Sequence, residues 1–284
     1  MSKTFKVACV QMNSGREIGP NVEAASRLIR DARKAGADFI LTPENTTCIE
    51  PIRERALANA HGEDTHPAIP AFQSLAAEIG TWLLIGSLTV KLDAKTCANR
   101  SFLFGPKGQI AARYEKIHMF DVDLANGETY RESAAFRPGC QAVTAELPWG
   151  RLGLTICYDM RFAYLYRALA QAGSSFLTVP AAFTRPTGQA HWHVLLRARA
   201  IETGSFVFAA AQTGEHAEGR KTYGHSLIVA PWGEVLADAG EEVGFVMAEI
   251  DPAKVNEARS MVPALRHDRE FNPPVDPALK IAGE

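Results

Sequence analysis

Short, almost wholly apolar runs alternate with longer amphipathic ones along this chain, and that alternation constrains its fold more than any other feature. Phe5–Val10 and Phe39–Leu41 carry apolar side chains on both faces. Such runs suit strands covered on both sides, as in sheets packed under helices. Between them Val22, Ala25, Ile29 and Ala32 recur at helical spacing, with Asn21 as the expected N-cap and Gly36 as the expected stop. A helix over Ala71–Ile79 and a strand over Trp82–Val90 follow. Next comes a hairpin of Ser101–Phe104 and Gln109–Tyr114, turning at Gly105-Pro106-Lys107-Gly108.

The second half repeats the scheme. A hairpin of Val143–Leu147 and Leu152–Ile156 precedes a helix over Tyr164–Ala172, a strand over Phe176–Val179, a helix over His191–Thr203 and a strand over Phe206–Gln212. Another hairpin, Ser226–Ala230 with Glu234–Ala237, and a strand over Phe245–Ile250 complete the pattern. No Gly/Ser linker separates the halves. The reading is one α/β domain over residues 1–284 with internal pseudo-symmetry, helices covering mixed sheets, and an irregular tail from about residue 262 that carries Pro263, Pro273, Pro274 and Pro277.

Composition removes several function classes. With 30 Lys and Arg against 32 Asp and Glu, the net charge is −2, so no basic excess exists for phosphate contacts and nucleic-acid binding is not expected. Apolar runs such as Phe206–Ala211 fall far short of the roughly 18 residues that a membrane span needs. The opening MSKTFKVACVQM has no apolar core followed by a small-residue cleavage site. Five cysteines, an odd number at wide spacing with no CxxC, argue against a disulfide framework or a thiolate zinc site. The expected location is the cytoplasm, with reduced thiols.

Three residues with usable chemistry fall just past strand ends, where open α/β folds place their sites. Cys157 ends the run Leu152–Ile156 at a strand-to-helix elbow, where backbone N–H groups and a helix N-terminus favour thiolate. Glu44 follows a buried strand in Leu41-Thr42-Pro43-Glu44-Asn45 and suits a general base. Lys116, after the strand ending at Tyr114, suits oxyanion stabilisation. Each alone is equally an ordinary buried thiol, loop acid or surface lysine, and spacing does not show that they converge.

The segments LTPEN (Leu41–Asn45), YEKIHMFD (Tyr114–Asp121) and TICYDMRF (Thr155–Phe162) resemble the three signature blocks of the nitrilase superfamily of carbon–nitrogen hydrolases. The resemblance continues through Pro180–Glu202, Ala209–Gly214, Tyr223–Ala237 and Pro263–Arg269, nearly the whole chain. It implies an αββα sandwich that dimerises across helices, no metal and no cofactor. It also implies a triad of Glu44 as base, Lys116 as oxyanion stabiliser or proton donor, and Cys157 as nucleophile. Glu132, shortly before Pro138-Gly139, matches a second family glutamate that holds Lys116 or the substrate. The Tyr158 N–H joins Lys116 at the oxyanion, and Arg161 is the candidate for a substrate carboxylate, or else an ion-pair partner of Asp159.

Within the superfamily the sequence is most similar to the Nit branch, and HVLLRARAIE and AAAQTG look more like its deaminated-glutathione amidases than its ω-amidases. The expected reaction is hydrolysis of deaminated glutathione to 2-oxoglutarate and cysteinylglycine through a Cys thioester. The alternatives are ω-amidase action on 2-oxoglutaramate, N-carbamoyl amino-acid hydrolysis and a non-catalytic scaffold. Gln189, where relatives commonly have Pro, and the loop Leu124-Ala125-Asn126-Gly127-Glu128 depart from the pattern near the expected substrate entrance. His191 and His193, two residues apart on a helix, face different directions and do not make a metal pair. His118 reads as a support for the Lys116 loop.

Overall fold

The computed structural model describes residues 4–125 and 127–272. Its first half contains β1 (Phe5–Gln11), α1 (Ile18–Lys34), β2 (Phe39–Leu41), α2 (Arg53–Asn59), α3 (Ala68–Ile79), β3 (Trp82–Lys91), β4 (Cys97–Phe104) and β5 (Ile110–Glu115). A short ribbon of β6 (Asp121–Asp123) and β7 (Thr129–Arg131) follows. The second half contains β8 (Val143–Leu147), β9 (Gly150–Leu154), α4 (Ala163–Gln171), β10 (Ser174–Thr178), α5 (Arg185–Thr203) and β11 (Phe206–Ala209). It ends with β12 (Thr213–Glu215), β13 (Lys221–Tyr223), β14 (Leu227–Val229), β15 (Val235–Asp238), β16 (Gly244–Ile250) and α6 (Ala253–Met261).

Two six-stranded sheets run β16-β1-β2-β3-β4-β5 and β8-β9-β10-β11-β14-β15. In these orders both read antiparallel, parallel, parallel, antiparallel, antiparallel. The pseudo-symmetry expected from the repeated pattern is therefore a property of the sheets themselves, and β16 crosses back to complete the first. The period-2 geometry of a strand explains the apolar runs. Val7, Cys9, Phe39 and Leu41 enter the core between the sheets. Ala8, Val10 and Ile40 face outward, against Ala25 and Ile29 of α1 and Phe72 of α3. Across the sheets Phe5 meets Phe176 edge-on and Phe39 meets Phe208. On the far side α4 and α5 add Leu165, Leu169, Trp192 and Leu196, which completes an αββα sandwich.

Several boundaries differ from expectation. Asn21 is not the N-cap of α1, which starts three residues earlier after Glu17. The Asn21 carboxamide instead accepts from the Gly15 N–H and donates to the Gly15 and Thr47 carbonyls, tying two loops together. Gly36 does end α1, at φ +99. Helix α5 begins at Arg185 rather than His191, because Pro186 falls in the first turn, where a missing N–H costs nothing. The tail continues as helix to Met261 and then a turn at Ala264–Arg266. Pro273, Pro274 and Pro277 lie outside the described residues, as does Asn126 of the Leu124–Glu128 loop. Among the described residues all five cysteines are free thiols, and no helix is long and apolar enough to cross a membrane.

Gly86 in β3 makes a close approach that no other residue permits. A Cβ there would lie 2.1 Å from the Thr42 carbonyl oxygen and 2.5 Å from that of Pro43, both in the segment leading to Glu44. Gly86→Ala is therefore expected to push that segment away, lowering stability by about 1–3 kcal/mol in urea unfolding and lowering hydrolytic activity disproportionately.

Candidate active site

Strands β2, β5 and β9 end at one edge of the sandwich and deliver Glu44, Lys116 and Cys157 to it. Glu44 is 3% exposed and Lys116 2%. The Lys116 ammonium donates to Glu44 Oε1 at 2.9 Å and to Glu132 Oε2 and Oε1 at 2.8 and 3.0 Å. Asn99 of β4 donates to Glu44 Oε1 at 2.9 Å, and the Ala182 N–H donates to Glu44 Oε2 at 2.9 Å. Glu132 opens a short 3-10 turn and also accepts from the Phe120 N–H at 2.7 Å. Each carboxylate is thus held by several donors, the arrangement that buried charge requires.

Cys157 opens a five-residue 3-10 turn and adopts φ +48, a left-handed conformation uncommon for a residue with a Cβ. Its N–H donates to the Pro180 carbonyl at 2.9 Å, and its thiol shares one cavity wall with Glu44, whose charge bears on it. Asp159, completely buried, fixes the elbow. One carboxylate oxygen accepts from the Ile156 N–H at 2.9 Å and the Tyr114 hydroxyl at 2.6 Å. The other accepts from the His118 N–H at 3.0 Å and lies 2.7 Å from His118 Nδ1. The loop of Lys116 and the elbow of Cys157 are thereby locked to a single carboxylate. His118 also stacks on Phe162, in keeping with a supporting place in that loop.

Protonation follows from this packing. Burial pushes the Glu44 carboxyl upward, but the adjoining Lys116 charge and its hydrogen bond bring it net below the ordinary value. Burial works against the Lys116 ammonium, and Glu132 and Glu44 reverse that and hold it well above its ordinary range. Burial first, and then the Glu44 charge, push the Cys157 thiol well above its ordinary value, with Lys116 opposing. This corrects the expectation of a resting thiolate. With the thiol pushed up by burial and by Glu44, and Glu44 held down by Lys116, the resting site is a thiol beside an ionised base.

Glu44, Lys116, Glu132 and Cys157 line one cavity of about 620 Å³. Tyr158 and Arg161 do not line it. In a 3-10 turn residues i and i+3 eclipse, so the Arg161 guanidinium sits 5.7 Å from the Tyr158 ring, 5.3 Å from the Phe183 ring and beside His191. Gln189 is exposed on α5 and also lies off the cavity, whereas Glu128 of the departing loop lines it. Arg220, which sequence reasoning missed, does line it. The Arg220 guanidinium donates to the Ala182 carbonyl at 3.1 Å and lies over Tyr130, and its buried Nε has no hydrogen-bond partner among the described residues.

Fold and site together define a thiol hydrolase built on paired sheets, with a Glu-Lys-Cys cluster at the strand ends. Comparison with known proteins agrees: the family model for carbon-nitrogen hydrolases matches residues 6–260, and the chain belongs to that family. It is 41% identical over 270 residues to a deaminated glutathione amidase of Synechocystis sp., covering 93% of this chain and 98% of that one. It is 36% identical over 268 residues to human omega-amidase NIT2, covering 94% and 95% respectively. The crystal structure of the C. elegans NitFhit protein superposes with a TM-score of 0.87 at 35% identity, covering 94% of this chain and 66% of that one. Saccharomyces cerevisiae Nit3, a member of branch 10 of the nitrilase superfamily, gives 0.80 at 28%, covering 93% and 96%.

A raised thiol pKa has a spectroscopic consequence. At neutral pH the ultraviolet thiolate absorbance of the wild-type protein should equal that of Cys157→Ser. A wild-type excess of one thiolate, titrating below the ordinary cysteine range, would show that the elbow ionises its sulfur at rest.

Proposed function

We propose that this chain is an amidase that hydrolyses a small acidic amide, deaminated glutathione, to 2-oxoglutarate and cysteinylglycine. The observation that carries the reading is the convergence of Cys157, Glu44 and Lys116 on one cavity, with the Lys116 ammonium bound to the Glu44 carboxylate. As the sulfur attacks the amide carbonyl, Glu44 takes the thiol proton. That transfer neutralises one of the two acids facing Lys116 and frees its charge for the tetrahedral oxyanion. Losing one such donor costs about 10²–10³ in rate. Glu44 then gives the proton to the departing amine, leaving a thioester on Cys157. Ionised again, Glu44 takes a proton from water as the water attacks the thioester. It returns that proton to sulfur when the acid leaves. Glu132 keeps Lys116 in place throughout.

Arg220 replaces Arg161 as the partner of a substrate carboxylate. Its buried Nε, unpaired beside the cavity, suits a charge-assisted bond, and its planar guanidinium suits a carboxylate fork. The relatives named deaminated glutathione amidase and the size of the cavity favour the larger substrate over 2-oxoglutaramate. The same reading takes residues 1–284 as one domain with a C-terminal tail from about residue 262, acting in the cytoplasm. It also takes the chain as a homodimer. Val194 and Ile201, one heptad apart on α5, are exposed, Ile201 lies against the Gly233 turn, and an exposed apolar helix face of this kind suits pairing with a second copy.

A substrate panel with Arg220→Gln tests this reading. For deaminated glutathione the variant should lose about 10–100-fold in kcat/KM, the worth of a hydrogen bond to a charged group. A neutral amide should lose far less. Equal losses on both would place the carboxylate elsewhere, and wild-type preference for 2-oxoglutaramate would assign the ω-amidase reaction instead.

A further inference from the structure

Away from the cavity, the structure gathers His193, His225 and Asp238, residues far apart in sequence. His193 Nε2 lies 3.0 Å from Asp238 Oδ2, and His225 Nδ1 lies 3.2 Å from that same oxygen and 2.9 Å from Oδ1. All three residues are partly exposed. His193 stands on α5, His225 two residues before β14 and Asp238 at the end of β15, so the cluster bridges a covering helix and the edge hairpin beneath it.

We propose that His193 Nε2, His225 Nδ1 and Asp238 Oδ2 form a binding site for a divalent transition-metal ion of the zinc class, separate from the hydrolytic centre. Tetrahedral zinc with bonds of about 2.0–2.1 Å needs donor atoms roughly 3.3 Å apart. The two separations to Asp238 Oδ2, 3.0 and 3.2 Å, come within a few tenths of an ångström of that edge. Two imidazoles and one carboxylate are donors that suit zinc, and partial exposure leaves a fourth position to water.

The donors are also oriented from behind, as ligands of metal sites are. The Gly240 N–H donates to Asp238 Oδ1 at 2.9 Å, leaving Oδ2 directed at the two imidazoles. His225 holds φ +56, a conformation uncommon for a side-chain-bearing residue. It persists there because the His225 N–H donates to the Gly240 carbonyl at 2.7 Å, the His225 carbonyl accepts from Trp192 Nε1 at 2.7 Å and Tyr223 stacks on the ring at 4.4 Å. No proton need be lost from neutral rings. Without the ion, His193 Nε2 and His225 Nδ1 each donate an N–H to the Asp238 carboxylate; on binding, each neutral ring shifts that proton to its other nitrogen and ligates through the freed lone pair.

The test uses the full chain in a Cys157→Ser background, which removes the active-site thiol as a competing ligand. Titration with zinc chloride under calorimetry should show one site, and His193→Ala in the same background should weaken it at least about tenfold. Zinc should also raise the thermal midpoint of the background protein and not that of His193→Ala. Because His193 stands outside the cavity, His193→Ala in the otherwise wild-type protein should hydrolyse amides normally, which shows that it folds. Undetectable zinc binding, or binding unchanged by both His193→Ala and Asp238→Asn, would overturn the proposal and leave a hydrogen-bonded cluster only.

Discussion

A single buried ammonium organises this molecule's working edge. Lys116 is almost completely enclosed, and its charge is balanced by two carboxylates carried on two other loops. Removing such an ion from water costs several kcal/mol, offset only by close, well-directed partners. The requirement fixes the position of Glu44 after β2, of Glu132 in its 3-10 turn and of Asn99 between them. It also determines the state of the sulfur. Burial first, and then the adjoining Glu44 charge, make ionising Cys157 unfavourable. The site therefore keeps its nucleophile protonated until a carbonyl arrives to receive the electrons.

The scaffold supplies what this charge cluster cannot. Because β2, β5 and β9 all end at the same edge, three distant segments arrive together without long loops. Asp159 then joins two of them, accepting from Ile156 and Tyr114 on one oxygen and from His118 on the other. Gly86 lets β3 pass beneath the Glu44 segment at backbone contact distance. Positional accuracy in the site thus rests on strand ends, one buried carboxylate and one missing side chain, none of which touches a substrate.

How much of this was legible in the sequence follows from the range of each interaction. The two-faced apolar runs and the helical spacing of Val22, Ala25, Ile29 and Ala32 are local, and they gave the α/β alternation, its repeat and most strand positions, while the sandwich came with the family resemblance. The motif around Glu44, Lys116, Glu132 and Cys157 identified the residues that meet. What stayed hidden depends on contacts between distant segments. Asn21 looks like a cap because its spacing is right, but its carboxamide serves Gly15 and Thr47. Arg161 looks like a carboxylate partner because it follows the nucleophile closely, yet the pitch of a 3-10 turn carries it toward Tyr158. Arg220 carries no local signal, since nothing near it in sequence reveals a cavity wall. The thiol's protonation was misread for the same reason: the helix start after Cys157 is local and visible, whereas the opposing Glu44 lies across the sandwich.

The central claim is that turnover passes through a covalent bond to the Cys157 sulfur. Acid quenching during steady-state hydrolysis of deaminated glutathione, followed by peptide mass mapping, tests it most directly. The account predicts a 2-oxoglutaryl thioester on Cys157 and on no other cysteine, with no turnover in Cys157→Ala. Continued hydrolysis by Cys157→Ala at a rate near that of the wild type, or an acyl group on a different residue, would contradict it.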